Sequence, residues 1–159
     1  MAYQKLQTGR ALEVIYSDTI NIPNIADVHA TGVVSAAPPG PPPQLVVASG
    51  DFLTSVKVGD IVYNTTAKTV ATVTGVVDDV TLNLSAATVT AADEFVIYGD
   101  TNNGCVLYLG GAGNLRVVTV GGDDVLMTGV LAGTYVPMNV MRVKTTDTTV
   151  AASVILAMW

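Results

Sequence analysis

The side chains best suited to chemistry in this sequence are one histidine, one cysteine and a few paired acids. His29 is the only histidine and follows Asp27 by two residues, so an acid-oriented general base can be imagined. Catalysis by such a pair also needs a nucleophile and a cleft, and the neighbouring residues supply neither. We therefore interpret Asp27 and His29 as part of a solvated loop.

Cys105 is the only cysteine, so no disulfide within the chain and no cysteine-based zinc cluster can form. A nucleophilic pair of Cys105 with His29 would need a third group to orient the imidazole. Nothing in the surrounding sequence provides one. We predict that Cys105 is a small hydrophobic residue of the core.

Neighbouring acids could bind a hard cation such as Ca²⁺ or act as a glycosidase pair. No alternating Asp-x-Asp-x-Asp-Gly loop accompanies them, and one Trp and two Phe are few for lining a sugar groove. We predict turn residues at each pair: Asp78-Asp79, Asp93-Glu94 and Asp123-Asp124.

The glycine-rich run 110–113 is the one segment that resembles a phosphate-binding loop. Such a loop needs a following helix whose N-terminus faces the anion, whereas the sequence continues as a strand, Leu115-Arg116-Val117-Val118. We predict a hairpin turn here and a second one at Gly121-Gly122. With no catalytic residue, metal site or cofactor site predicted, the chain is expected not to be an enzyme.

The composition favours a protein that assembles with others. The 159 residues are 50% hydrophobic and only 13% charged, against roughly 25% in an average domain. Such a surface is expected to be buried in an oligomer or lattice. A net charge of −6 disfavours nucleic acid as a partner, and no apolar stretch reaches the ~20 residues of a membrane span. Because no secretory signal begins the chain, we expect it to stay in the cytoplasm where it is made.

Hydrophobic periodicity is that of strands almost throughout, which predicts an all-β fold, an antiparallel β-sandwich or barrel. The predicted strands are 11–16, 44–49, 60–65, 69–77, 80–84, 94–98, 104–109, 114–120, 124–129, 135–144 and 150–158.

Five of the seven prolines lie in 38–43, and we predict that this segment is a stiff linker between two small β modules. A ligand for an aromatic-lined groove is the alternative. The predicted parts are an N-terminal arm (1–37), the linker, a small β-barrel (44–100) closed by strand 94–98, and a C-terminal meander (101–159) on which 10–24 pack.

The C-terminal third resembles a known group of proteins. The run Leu107-Tyr108-Leu109-Gly110-Gly111-Ala112-Gly113-Asn114-Leu115-Arg116-Val117, with Gly121-Gly122-Asp123, Gly129-Val130-Leu131-Ala132-Gly133-Thr134, Pro137, Arg142-Val143 and a terminal Trp, is similar to small virion proteins of the spike-base type found in tailed phages and gene transfer agents.

Upstream, Tyr16-Ser17-Asp18-Thr19 with Ile22-Pro23 looks like the Pro-Ser-Asp motif of that family, with Tyr16 in place of the usual proline. The resemblance covers about 10–24 and 104–159. The segment around Val58-Gly59-Asp60-Ile61-Val62-Tyr63 resembles β-barrel insertions of phage structural proteins. Its position between the two family motifs departs from the spike-base pattern and suits a head decoration protein.

The resemblance implies a bacteriophage virion structural protein, which we expect to decorate and cement the capsid surface as a homotrimer bound to the major capsid protein. A spike-base protein of the tail, neck or baseplate is an alternative, and a carbohydrate- or receptor-binding module is another. The predicted interface residues, for which core packing is the other interpretation, are Tyr108, Tyr135, Met138, Met141 and Trp159.

Overall fold

The computed structural model describes residues 9–101 and 103–159. These residues divide into two compact units, one of 9–22 with 103–159 and one of 23–101, which we call the terminal unit and the central unit. Each contains one antiparallel sheet, so the all-β prediction is confirmed. No helix within the described ranges is long and apolar enough to cross a membrane.

The terminal unit is a six-stranded sheet with the order β1-β12-β8-β11-β9-β10. Its strands are β1 (Ala11–Glu13), β8 (Cys105–Leu109), β9 (Gly113–Thr119), β10 (Asp124–Val130), β11 (Thr134–Val143) and β12 (Ile155–Met158), with a 3₁₀ turn at Ala152–Val154. Strict alternation sets the two faces, as in β8, where Cys105, Leu107 and Leu109 are buried and the residues between them are not.

This order corrects the predicted meander. Strand β11 inserts between β8 and β9, so the glycine run 110–113 is not a hairpin. Its glycines allow close approach of another segment, since a Cβ on Gly113 would stand 2.9 Å from the amide nitrogen of Val150. The predicted hairpin at Gly121-Gly122 does join β9 to β10, with Gly122 at a φ of 90°.

The central unit is a six-stranded sheet with the order β2-β7-β4-β5-β6-β3. Its elements are β2 (Val28–Val33), β3 (Gln44–Val46), a short helix α1 (Phe52–Ser55), β4 (Ile61–Asn64), β5 (Thr69–Asp78), β6 (Thr81–Leu84) and β7 (Glu94–Tyr98). Two register shifts bend β5, as bulges do. The chain leaving β2 forms an isolated bridge, Ala36 with Val46 of β3, that joins the two edges of the sheet.

Strand β2 is not among the predicted strands, and its presence changes the position of β7 in the sheet and the place of the proline-rich segment. It pairs with β7, so β7 is an interior strand rather than the closing one. The proline-rich segment 38–43 therefore connects β2 with β3 inside the central unit instead of joining two units. The sequence signal for β2 is weak because Gly32 interrupts it; that glycine packs against the Phe95 ring.

Each unit has its own hydrophobic core. In the terminal unit Leu107, Leu109 and Leu115 are fully buried together with Val14 from the N-terminal segment. That segment runs back along β11, where the Ile22 amide donates to the Met141 carbonyl. In the central unit the core gathers around Phe95, Leu45 and Ile97.

Cys105 lies in the core of the terminal unit, with its thiol 3.3 Å from the Val140 carbonyl oxygen. Burial raises the pKa of this thiol to about 12. A thiol reagent should therefore label the native protein at least about 100-fold more slowly than the unfolded protein, since only the thiolate reacts. Mass spectrometry after timed labelling, with guanidinium-unfolded protein as the control, measures the ratio. Equal rates would contradict this placement of Cys105.

Candidate functional site

The outward face of the terminal sheet carries a row of large apolar side chains. Backbone register aligns Leu156 of β12 with Tyr108 of β8, and Tyr108 with Tyr135 of β11. The two tyrosine rings lie with centroids 5.2 Å apart and planes tilted by 57°. Tyr135 is 54% exposed and Leu156 is 36% exposed. We call Leu156, Tyr108 and Tyr135 the outer row.

The structure brings together only two of the five predicted interface residues, Tyr108 and Tyr135. Met138 and Trp159 are partly buried and pack against the core of the terminal unit. Met141 is partly buried on β11. Sequence reasoning missed Leu156, because the strand Ile155–Met158 is apolar throughout and its residue types mark no outward face. In the structure, Ile155 and Ala157 on either side of Leu156 are buried, so Leu156 faces outward.

Four charged side chains of the terminal unit form ion pairs with one another. Arg116 donates to Asp124 at 2.8 Å and to Asp147 at 2.6 Å, and Lys144 donates to Asp124 at 2.9 Å. The hydrogen bonds from Arg116, followed by those from Lys144, lower the pKa of Asp124 to about 2. These cations are matched by carboxylates and do not form a basic patch.

The chemistry-bearing residues of the central unit form a cluster around His29. Its Nδ1 lies 2.6 Å from Oδ2 of Asp60 and its Nε2 lies 3.2 Å from Oδ1 of Asp27. Asp60 precedes β4 and is only 4% exposed. The hydrogen bond to Asp60 is the main cause of a raised pKa of His29.

The solvated-loop interpretation of Asp27 and His29 therefore needs correction, because the ring is held on both sides. Asp60 is the member that sequence reasoning missed, and its distance of 31 residues from His29 leaves no sequence signal. In the observed geometry each ring nitrogen is engaged by a carboxylate. The two contacts hold the ring between the segment before β2 and the turn before β4.

Two further observations bear on ligand binding. Among the described residues, no group of three or more His, Cys, Asp or Glu side chains could hold a metal ion. A hollow of about 340 Å³ lies beside β2, lined by Thr31, Gly32, Val33 and by 47–52. The residues of the His29 cluster do not line this hollow, and Asp51 is the one charged side chain among the residues that do.

Comparison with protein families, with curated proteins and with solved structures found no match to this chain. The proposals that follow therefore rest on the geometry of the outer row and of the His29 cluster.

Proposed function

We propose that this chain is a bacteriophage virion structural protein that decorates and cements the capsid by binding capsomers, as a homotrimer. The observation that carries the proposal is the outer row on the terminal sheet, where two tyrosines in ring contact and Leu156 lie beside one another with Tyr135 more than half exposed. Rigid aromatic side chains of this kind are the usual anchors of protein interfaces.

The division of the chain into units also supports the proposal. The segments that resemble spike-base proteins, about 10–24 and 104–159, fall in the terminal unit apart from residues 23 and 24. The segment that resembles a phage β-barrel insertion has its own sheet and its own core in the central unit. A binding unit with an insertion that has its own core is an arrangement that suits decoration of a lattice.

Low charge gives a further reason to expect assembly. Only 13% of the residues are charged, and in the terminal unit Arg116 and Lys144 are paired with Asp124 and Asp147. An interface centred on the outer row would have to bury about 800 Å² per partner, which is the usual area of a stable contact.

The test is binding to particles of the phage that encodes the chain, prepared without this protein. Wild-type protein should restore many copies per capsid, counted by quantitative mass spectrometry and located by cryo-electron microscopy. Density confined to the tail, neck or baseplate would overturn the decoration proposal in favour of the spike-base alternative. Binding to a glycan array without binding to particles would favour the carbohydrate module.

The outer row is tested by Tyr135→Lys, which we expect to weaken particle binding at least about tenfold, because a charge replaces an aromatic anchor. Val77→Lys is the matched control, since Val77 is 51% exposed in the central unit and lies outside the row. Particle occupancy against protein concentration measures both. Equal affinities for wild type and Tyr135→Lys would show that the outer row does not bind the capsid.

A further inference from the structure

The His29 cluster has a protonation state that its geometry requires. Ionised carboxylates only accept hydrogen bonds, and a neutral imidazole can donate from one nitrogen only. His29 has a carboxylate oxygen at each nitrogen, Asp60 at 2.6 Å and Asp27 at 3.2 Å. Both contacts are hydrogen bonds only when the ring is the doubly protonated imidazolium. Neutral His29 would place a nitrogen lone pair against a carboxylate oxygen.

Each carboxylate is anchored to a different part of the central unit. Oδ2 of Asp60 also accepts the amide of Lys57 at 2.8 Å, which fixes the turn before β4. Oδ2 of Asp27 accepts the hydroxyl of Thr101 at 3.0 Å, and the Asp27 carbonyl accepts the amide of Gly99 at 2.9 Å. The imidazolium therefore links the segment that begins the unit directly to the turn before β4. Asp27, which the ring holds, links that first segment to the segment that ends the unit.

The groups around the ring come from three segments of the central unit. The loop before β2 contributes Asp27, and the turn before β4 contributes Asp60 together with the Lys57 backbone amide. The segment after β7 contributes Asp100, whose carboxylate stands near Gly59, and Gly99, which lies close to the imidazole. Tyr98 of β7 aligns with Val28, next to His29.

We propose that protonated His29 holds Asp27 in the position from which Asp27 ties the first segment of the central unit to the last, and that deprotonation of the ring releases Asp27 while the contact with Asp60 is retained. The longer contact is lost first, because a neutral ring keeps its single proton for the shorter bond to Asp60. Asp27 has a side chain that is 39% exposed and can turn to water. This inference does not depend on the proposed function.

The direction of the pH dependence follows from linkage. The pKa of His29 is raised above 6.5 in the folded protein, chiefly by the hydrogen bond to Asp60. The stabilisation is therefore complete below the unfolded pKa and is lost as the pH rises through the folded pKa. Alkaline pH should loosen 24–29 and 99–101.

The experiment is an NMR titration of the imidazole, which gives one set of signals because His29 is the only histidine. We expect a midpoint above 6.5 in the wild type. Asp27→Asn and Asp60→Asn should both lower it, Asp60→Asn by more. Asp100→Asn, the matched control, removes a neighbouring acid that does not bond the ring and should shift it clearly less. A wild-type midpoint below 6.5, or an unchanged midpoint in Asp27→Asn, would overturn the proposal.

Hydrogen exchange of the Gly99 amide reports the release itself. After correction for intrinsic exchange, its protection should fall severalfold as His29 deprotonates in the wild type and should show no such step in His29→Gln. Protection that stays constant through the wild-type titration would show that the ring titrates without loosening the chain. This measurement on the wild type stands even if Asp60→Asn does not fold.

Discussion

Replacing Leu107 by alanine should lower the free energy of unfolding of the terminal unit by about 2–5 kcal/mol. Leu107 is fully buried in β8, which lies between β12 and β11. Truncation removes apolar contacts and leaves a cavity that paired strands on both sides cannot close. Denaturant unfolding followed by the fluorescence of Trp159, the only tryptophan, measures the loss in this unit.

Leu156→Ala is the matched control for that experiment. Leu156 lies on the neighbouring strand β12, but it faces outward and is 36% exposed. The same change of side chain should lower the free energy of unfolding by about 1 kcal/mol or less, since Leu156 buries less apolar surface than Leu107 and its truncation leaves no cavity. Similar losses in the two variants would contradict the assignment of the buried and outward faces.

Replacing Asn64 by alanine should lower the free energy of unfolding of the central unit by about 2–4 kcal/mol. Asn64 is fully buried at the end of β4. Its amide nitrogen donates to the Thr88 carbonyl and to Asp93, and its oxygen accepts the amides of Thr66 and Ala67. Alanine removes all four hydrogen bonds and the side chain that holds the turn after β4, while Thr69 and Thr90 still donate to the Thr88 carbonyl and to Asp93.

The control for Asn64 is Asn24→Ala. The side chain of Asn24 accepts one amide, that of Ala26, in an exposed turn of the same unit, so the loss of this side chain should cost about 1 kcal/mol. Thermal unfolding of both variants by calorimetry distinguishes the two sites. If Asn64→Ala is no more destabilising than Asn24→Ala, the buried network does not stabilise the unit.

Asp93 makes the stability contributed by the Asn64 network depend on pH in the acid range. Its pKa is lowered below 3.8, first by the Thr90 amide and then by Asn64. The stabilisation is present above the unfolded pKa and is lost as the pH falls through the lowered value. Asn64→Ala removes one of these hydrogen bonds, so it should reduce this loss of stability in acid.

Strand positions could be predicted well because they depend on local alternation. Each predicted strand overlaps an observed one, and the turns at 78–79 and 121–122 join the hairpins expected of them. Strand β2 was missed since its residues are only partly buried and its pairing partner β7 lies more than 60 residues away. Long-range pairing has no local sequence signal.

The candidate sites also depend on contacts between residues that are distant in the sequence. The sequence placed tyrosines on strands, but only the order of β12, β8 and β11 aligns Leu156 with Tyr108 and Tyr135. Asp27 and His29 were visible as a local pair, whereas Asp60 reaches the ring from the turn before β4. The glycines at 110–113 were read as a turn because the segment that packs on them, 149–154, is distant in the sequence.

By itself, the amino-acid sequence determined the all-β class, the positions of most strands and the scarcity of charge, since these follow from period-two alternation and composition. Only the tertiary structure decided the strand order, the insertion of β11 between β8 and β9, and the two carboxylates around His29. Those features arise from contacts between distant segments, where the gain from packing and hydrogen bonding outweighs local preference.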